Sequence, residues 1–220
     1  MTTCNRVYAI NVDFLNDKEA FAYWYDKMPS YRKEKIDSYR PDDGKRLSLG
    51  AGIILYKGCS NEGIKPDAVS FLENGKPYID NKGGNSFEFN LSHSGSVAVG
   101  AFSDKKVGID VEEIKAFKEN LINYVFSPKE IDYVRANSRN SQEENSLFTS
   151  LWTMKESIMK FVGKGLAMDP KKIFIDQEQE RIYYGDSEMT DTYITKYSID
   201  GYAVSVCSEC KQFSEAIIFI

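Results

Sequence analysis

Hydrophobic positions along the chain recur irregularly, partly at the two-residue period of strands and partly at the helical period of three to four. The helical spacing predicts helices over 17–28, 30–39, 45–57, 119–136 with a break at Ser127-Pro128, and 147–162. Strand-like runs occupy 6–12, 87–91, 97–102, 107–111, 172–175, 181–184, 192–197, 202–206 and 216–220. This mixture predicts an α+β fold with small antiparallel sheets.

Three connecting segments are predicted from their polar residues and glycines. Residues 103–106 are predicted to form a four-residue hairpin loop between two strands. Residues 92–96 are predicted to form a loop that carries His93, the one histidine of the sequence. The polar run 137–145 is predicted to be a surface loop.

Composition excludes several classes of protein. The longest apolar runs, 51–55 and 216–220, are far shorter than the ~20 residues of a membrane span, and we expect no secretory signal. The net charge of −5 argues against a protein that coats nucleic acid. Four cysteines in 220 residues are too few for a disulfide scaffold, and Cys207-x-x-Cys210 has no second pair that would complete a zinc site. We therefore expect a cytoplasmic protein without membrane or nucleic-acid partners.

The strand 107–112 places two acidic side chains on one face. Val107, Ile109 and Val111 alternate with Asp110 and Glu112, and same-face neighbours on a strand lie roughly 7 Å apart. Both carboxylates could therefore reach one hard cation through their oxygens. A strand with a solvated outer face explains the same alternation, and the strand alone favours that simpler interpretation.

The helix predicted over 147–162 has an apolar stripe and a charged opposite side. The stripe consists of Leu147, Leu151, Met154, Ile158 and Phe161. Glu156 lies almost opposite it, and Lys160 follows one turn later. An exposed ion pair accounts for these two residues, but Trp152 falls on the same side and is unsuited to open water. Both interpretations stay open: a solvated face, or a second, partly covered surface.

The remaining candidates could bind an anion. His93 is surrounded by small hydroxyl residues and a glycine, which can offer donors to an anion, although a structural histidine is the more frequent case. A single histidine makes a hydrolytic triad improbable. Basic residues that could form a phosphate pocket, each of which is otherwise a surface charge, are Arg32, Lys35, Lys45, Arg46 and Lys76.

Five motifs occur in a specific order. They are Gly75-Lys76-Pro77, Phe89-Asn90-Leu91-Ser92-His93-Ser94, Val107-Gly108-Ile109-Asp110-Val111-Glu112, Phe126-Ser127-Pro128-Lys129-Glu130, and Trp152-Thr153-Met154-Lys155-Glu156-Ser157-Ile158-Met159-Lys160 followed by Gly163-Lys164-Gly165-Leu166. This ordered set resembles the surfactin-type 4′-phosphopantetheinyl transferases.

The resemblance implies a fold and a reaction. It implies two similar lobes related by a pseudo-two-fold axis, dividing into residues 1–105 and 106–220, with packed helices, a small antiparallel sheet in each lobe and the active site between them. It also implies transfer of the phosphopantetheine arm of coenzyme A to a serine hydroxyl, with release of adenosine 3′,5′-bisphosphate. Because two lobes in one chain would already form the cleft, we expect a monomer.

The resemblance also implies roles for individual residues. Asp110, Glu112 and Glu156 would hold one Mg²⁺, or Mn²⁺, and Lys160 would meet the phosphates. The 3′-phosphate of coenzyme A would be held by His93, Arg32, Lys35 and Arg46. The nucleotide part would contact Ser92 and Lys76. The serine must lose a proton, and both Glu130 and Glu156 are candidate bases between which the sequence does not choose.

The expected protein partner is an acidic apo acyl or peptidyl carrier protein. A carrier of that charge would dock on a local basic or apolar patch, which we expect over 114–126. Two other functions stay open: a metal-dependent hydrolase of nucleotide pyrophosphates, and a coenzyme A-binding module without catalysis.

Overall fold

The structure is a computed structural model that describes residues 5–65, 69–71, 77–79 and 87–220. Contacts divide the chain into two compact units, Met1–Val107 with Ser214–Ile220, and Gly108–Phe213. Within the described ranges, none of the helices has both the length and the apolar character needed to cross a bilayer.

The described residues contain six α-helices and twelve strands, which confirms the mixed α+β class. The helices are α1 (Lys18–Asp26), α2 (Ser30–Asp37), α3 (Asp42–Asn61), α4 (Glu119–Val125), α5 (Pro128–Asn137) and α6 (Ser141–Val162). The strands are β1 (Arg6–Asn11), β2 (Val69–Phe71), β3 (Pro77–Ile79), β4 (Glu88–Ser94), β5 (Val97–Ser103), β6 (Val107–Glu113), β7 (Ile173–Asp176), β8 (Arg181–Tyr184), β9 (Ser187–Glu188), β10 (Tyr193–Ile199), β11 (Tyr202–Ser208) and β12 (Ile217–Phe219).

The first unit is built on a four-stranded sheet in the order β12-β1-β5-β4. The pairs β1–β5 and β4–β5 are antiparallel as predicted, whereas β12 adds to β1 in parallel. Helix α3 packs on β1 and β5. Its apolar residues join those of the sheet in one core that includes Ile10, Ile53, Ile54 and Phe102.

The second unit packs α6 against a three-stranded sheet in the order β10-β11-β6. The strands β7, β8 and β9 form a separate antiparallel sheet. Apolar side chains of α6 enter two cores, one shared with α4 and α5 and one shared with β7, β8 and β11. The buried stripe therefore lies where its spacing predicts, with Leu151, Met154, Ile158 and Phe161 all buried. The predicted pseudo-two-fold relation stays a prediction.

The break between α4 and α5 has a clear local cause. Ser127 caps α5 in a capping box: its side chain accepts a hydrogen bond from the Glu130 amide, and the Glu130 side chain accepts one from the Ser127 amide. Pro128 lies in the first turn of the helix. The cap lets α5 start in a new direction, as the predicted interruption at Ser127-Pro128 requires.

Two predicted loops are wrong. The segment 137–145 is mostly helix, because the Asn140 side chain accepts a hydrogen bond from the Glu143 amide and starts α6 there. Ser92 and His93 lie within β4, paired with Val99 and Ala98 of β5, since the strand continues to the turn at Gly95.

The predicted hairpin at 103–106 is also wrong. The strands on its two sides do form, but β5 pairs with β1 and β4, whereas β6 belongs to the sheet with β11. The segment is therefore a connection between sheets rather than a turn within one. Short spacing between two apolar runs does not reveal which strands pair.

Candidate active site

The site begins where β6 lies directly against α6. A Cβ atom placed on Gly108 would lie 2.3 Å from the backbone oxygen of Ser157 and 2.4 Å from the backbone nitrogen of Phe161. Only glycine permits this approach, since neither contact atom belongs to a side chain that could rotate away. The close contact brings the acidic face of β6 to the helix turn that carries Glu156 and Lys160.

Gly108→Ala is expected to lower the free energy of unfolding by about 3 kcal/mol, because the new methyl group forces the strand and the helix apart. Urea titration followed by circular dichroism measures the loss. The control is Gly185→Ala, at a left-handed position (φ 61°) whose Cβ would meet nothing within 4 Å. It should cost only about 1–2 kcal/mol of backbone strain. Equal losses in the two variants would contradict the packing argument.

Asp110 is a buried carboxylate. Its residue is 2% exposed, and its Oδ1 accepts a 2.6 Å hydrogen bond from Lys160 Nζ. The interpretation of β6 as a strand with a solvated outer face is therefore wrong at Asp110. A carboxylate is placed in such an environment only with compensating positive charge, which Lys160 supplies in this structure.

Glu156 is electrostatically coupled to both acidic residues of β6. Burial, together with the negative charges of Asp110 and Glu112, raises the pKa of Glu156 to about 7, against the opposing effect of Lys160. This coupling places Glu156 on the same side as the strand carboxylates and not in bulk water. The three acidic residues and the lysine thus form one group.

The group has the donors that a hard divalent cation prefers. Within the described ranges, no three acidic, histidine or cysteine side chains are arranged so that they could hold a metal ion, and Lys160 pairs with Asp110. The ionised form of Glu156 is opposed first by burial and then by the like charges of Asp110 and Glu112, so its pKa is raised. A cation that neutralised them would relieve this repulsion, and all the donors would be oxygens. The chemistry of these donors therefore suits Mg²⁺ or Mn²⁺.

A cavity of about 400 Å³ adjoins this group. Its lining combines the apolar residues Phe117, Leu121 and Trp152 with the charged residues Glu112, Glu113, Lys115 and Lys118. Trp152 is partly buried and packs on both cores of the second unit. The side of α6 opposite its apolar stripe is therefore a partly covered surface, as the tryptophan suggested.

Glu130 lies in a different environment from Glu156. Its Oε2 atom accepts hydrogen bonds from the backbone nitrogen of Ser127 at 2.8 Å and from its Oγ at 2.9 Å. The same atom pairs with Lys155 Nζ at 2.8 Å. The structure thus brings Glu156 together with Asp110 and Glu112, and places Glu130 in a buried ion pair.

The sequence reasoning overlooked Lys155, which is fully buried. A signal was available, since Lys155 lies four residues after Leu151 and three before Ile158, on the side of the apolar stripe. A lysine at such a position needs buried acceptors.

The predicted nucleotide contacts lie in the first unit. The Arg32 side chain donates to the Ser48 carbonyl, and its buried Nε has no acceptor among the described residues. The rings of Tyr39 and His93 meet edge-on, 6.5 Å apart, and Lys35 lies over the Tyr39 ring. Ser92 is buried beside His93 on β4.

Arg46 and Lys76 are the two remaining basic candidates. Arg46 pairs with Asp43 and lines a separate cavity of about 320 Å³ with Lys18 and Lys45. Lys76 lies outside the described residues.

Comparisons with known proteins agree on one family. A family model described as the 4′-phosphopantetheinyl transferase superfamily matches residues 106–207. The 4′-phosphopantetheinyl transferase gsp of Aneurinibacillus migulanus is 34% identical over 197 residues, covering 87% of this chain and 81% of its own. A 4′-phosphopantetheinyl transferase of Bacillus subtilis is 30% identical over 186 residues, covering 81% and 80%. The transferase Sfp of Bacillus subtilis strain 168 is 29% identical over 222 residues, covering 98% and 97%.

Proposed function

We propose, from the premise that this chain belongs to the 4′-phosphopantetheinyl transferase family, that it transfers the phosphopantetheine arm of coenzyme A to a serine of a carrier protein. The observation that carries the proposal is the group formed by Asp110, Glu112, Glu156 and Lys160, in which Glu156 is electrostatically coupled to the other three and Lys160 pairs with Asp110. Such a group suits a pyrophosphate held by a divalent cation and a lysine.

The proposed reaction is a displacement at phosphorus. The serine oxygen forms a bond to the phosphorus that carries the pantetheine arm, and the bond from that phosphorus to the bridging oxygen breaks. The electron pair leaves on the phosphate of adenosine 3′,5′-bisphosphate, and the serine proton passes to a base. Positioning and charge stabilisation supply most of the catalysis in phosphoryl transfer of this kind.

Asp110, Glu112 and Glu156 would hold the divalent cation. Bound there, Mg²⁺ or Mn²⁺ would neutralise charge on the pyrophosphate oxygens. Lys160, which neutralises Asp110 in this structure at 2.6 Å, would then be released from its role as counter-ion and bind the phosphates as a compact positive charge.

We assign the base to Glu156 rather than Glu130. Glu156 has two carboxylate oxygens, so one can bind the cation while the other accepts the serine proton. Glu130 is a poor candidate because its Oε2 accepts hydrogen bonds from Ser127 and is paired with a buried ammonium.

The nucleotide part of coenzyme A is assigned to the first unit. The buried guanidinium of Arg32 and the neighbouring Lys35–Tyr39–His93 contacts support an anion-binding role there. Ser92, Arg46 and Lys76 stay predicted contacts. This assignment accounts for basic residues in a protein whose net charge is negative.

The carrier is expected to dock over 114–126. Lys115 and Lys118 are exposed there, and Leu121 and Tyr124 of α4 leave 43% and 66% of their area exposed. Lysines around exposed apolar side chains match an acidic partner with an apolar centre. The patch also borders the cavity lined by Glu112 and Trp152, so a carrier bound there would approach the acidic group.

Lys115→Glu/Lys118→Glu is expected to raise the KM for the carrier about tenfold or more and to change the KM for coenzyme A by less than twofold, because docking charges act mainly on association. Steady-state kinetics with each substrate varied in turn measure both constants. Lys171→Glu/Lys172→Glu, which reverses an exposed lysine pair outside the patch, controls for net charge. An unchanged carrier KM in the first variant excludes this docking site.

The proposed function is tested by intact mass. Incubation with coenzyme A, Mg²⁺ and a panel of apo carriers should add about 340 Da to a carrier serine and release adenosine 3′,5′-bisphosphate in equal amount. Hydrolysis of coenzyme A with no carrier modified would favour the hydrolase, and coenzyme A binding without turnover would favour the binding module.

A further inference from the structure

We propose that the buried Lys155–Glu130 pair positions the catalytic turn of α6, which is the turn that carries Glu156 and Lys160. The pair would hold these two side chains in one orientation relative to β6. The catalytic role of this turn rests on the proposed function. The pair itself touches none of the reacting groups, and Lys155 and Glu130 are therefore positioning residues. Four observations support the proposal.

First, the ammonium group of Lys155 donates hydrogen bonds to three different segments of the chain. Its Nζ donates to Glu130 Oε2 on α5 at 2.8 Å, to the carbonyl of Pro170 at 2.9 Å, and to the carbonyl of Val125 at the end of α4 at 3.3 Å. An ammonium group has three donors. One side chain of α6 is thus tied to three separate segments.

Second, the ion pair is largely shielded from water. Lys155 is 0% exposed and Glu130 is 9% exposed, and the ring of Phe126 lies 5.4 Å from Nζ. Burial lowers the pKa of Lys155, and the neighbouring Glu130 opposes that effect. Apolar residues of the same volume often stabilise a core as well as a buried ion pair does. The gain from the pair is therefore a specific geometry.

Third, α6 is held from two sides at adjacent residues. Lys155 binds α4 and α5, whereas Glu156, about 100° further round the helix, faces Asp110 and Glu112. Lys160 then binds Asp110 at 2.6 Å. Apolar contacts are non-directional, so the apolar stripe alone would allow α6 small rotations about its axis and small shifts along it. The hydrogen bonds of Lys155 remove that freedom.

Fourth, Glu130 is itself fixed. Its Oε2 bonds to the backbone nitrogen and hydroxyl of Ser127 within the capping box of α5. The acceptor that Lys155 binds therefore has one orientation, set by the first turn of a helix. The chain of contacts runs from the α5 cap through the ion pair to the catalytic turn.

Three variants separate positioning from stability. Lys155→Met leaves a buried carboxylate without its counter-ion, and we expect the melting temperature to fall by about 10 °C. We also expect kcat to fall about 10–100-fold and the Kd for Mn²⁺, measured by electron paramagnetic resonance, to rise about tenfold. In Glu130→Gln/Lys155→Met no buried charge is left, so the melting temperature should recover while kcat and the Mn²⁺ Kd stay as in Lys155→Met.

Glu130→Gln alone keeps the capping box and an acceptor for Lys155. Its kcat should stay within about tenfold of wild type, and the acidic limb of its pH–rate profile should not move. Lys129→Met, an exposed neighbour of Glu130, should match wild type in every measurement.

Defined results overturn the proposal. Recovery of kcat and Mn²⁺ affinity together with the melting temperature in the double variant shows a purely structural pair. A loss of about 1000-fold with a vanished acidic limb in Glu130→Gln identifies that residue as the base. The melting and Mn²⁺ measurements need neither coenzyme A nor carrier, so they decide the positioning role even if the wild type modifies no carrier. A wild type that binds no Mn²⁺ overturns both proposals.

Discussion

Glu156→Gln is expected to lower kcat for phosphopantetheine transfer by at least about 1000-fold. The change removes a metal ligand and the proposed base at once, while the amide keeps the size of the side chain. Asp110→Asn should have an effect of the same order, because the carboxylate that it removes is buried and faces Lys160. Intact-mass measurement of carrier modification over time gives both rates.

The matched control is Glu178→Gln, which makes the same change at an exposed site on the loop after β7. It should match wild type. A Glu156→Gln enzyme that retains more than about a tenth of wild-type kcat, with Mg²⁺ present and the carrier fully modified, contradicts the assignment of Glu156.

Glu156→Gln is also expected to raise the free energy of unfolding of the metal-free protein at pH 8 by about 2 kcal/mol. This value is smaller than the full free energy of the pKa shift, because the side chain is partly exposed to solvent. The pKa of Glu156 is raised to about 7 in the folded protein, chiefly by burial and then by Asp110. The folded state therefore binds this proton more tightly than the unfolded state, and ionisation opposes folding. The penalty is fully present above pH 7 and absent below the unfolded pKa.

Urea unfolding in chelator across the pH range tests this effect. The stability difference between Glu156→Gln and wild type should be near zero at pH 4, grow as the pH rises towards 7, and level off above it. Glu113→Gln, an exposed position on the same strand as Asp110, is the control and should track wild type. A variant that is less stable than wild type at pH 8 would contradict the repulsion among the three carboxylates.

These two predictions together describe a site that lowers stability for the sake of function. Without metal, the charges of Asp110 and Glu112 oppose the ionisation of Glu156, and Lys160 offsets part of this repulsion and pairs with Asp110. The close packing at Gly108 and the ion pair of Lys155 hold these side chains in place. The surrounding packing is thus stable enough to hold the carboxylates close together despite their mutual repulsion.

Periodicity in the sequence predicted the two elements that carry the site. The alternation correctly predicted the strand that carries Asp110 and Glu112, although the solvated face that it favoured is wrong for the buried Asp110. The four-and-three spacing in α6 correctly separated its buried stripe from Glu156. Both predictions succeed because side-chain direction along a regular element follows from its geometry alone. The order of the motifs then pointed to the family, which the relatives confirm.

Features that depend on contacts between distant elements were not predictable in the same way. The segment 103–106 has the spacing of a hairpin, yet β5 and β6 pair with other strands. The segment 137–145 is polar because α6 begins on the surface, not because it is a loop. The buried ion pair of Glu130 depends on Lys155, whose partners on α4 and α5 are 30 and 25 residues away.

Mn²⁺ binding in the presence of coenzyme A, followed by electron paramagnetic resonance, tests the central claim most directly. The account predicts one Mn²⁺ per chain in the wild type. It also predicts that Asp110→Asn, Glu112→Gln and Glu156→Gln each weaken that site at least about tenfold, while Glu178→Gln does not. Wild-type affinity retained in any of the three carboxylate variants would show that these side chains do not share one cation.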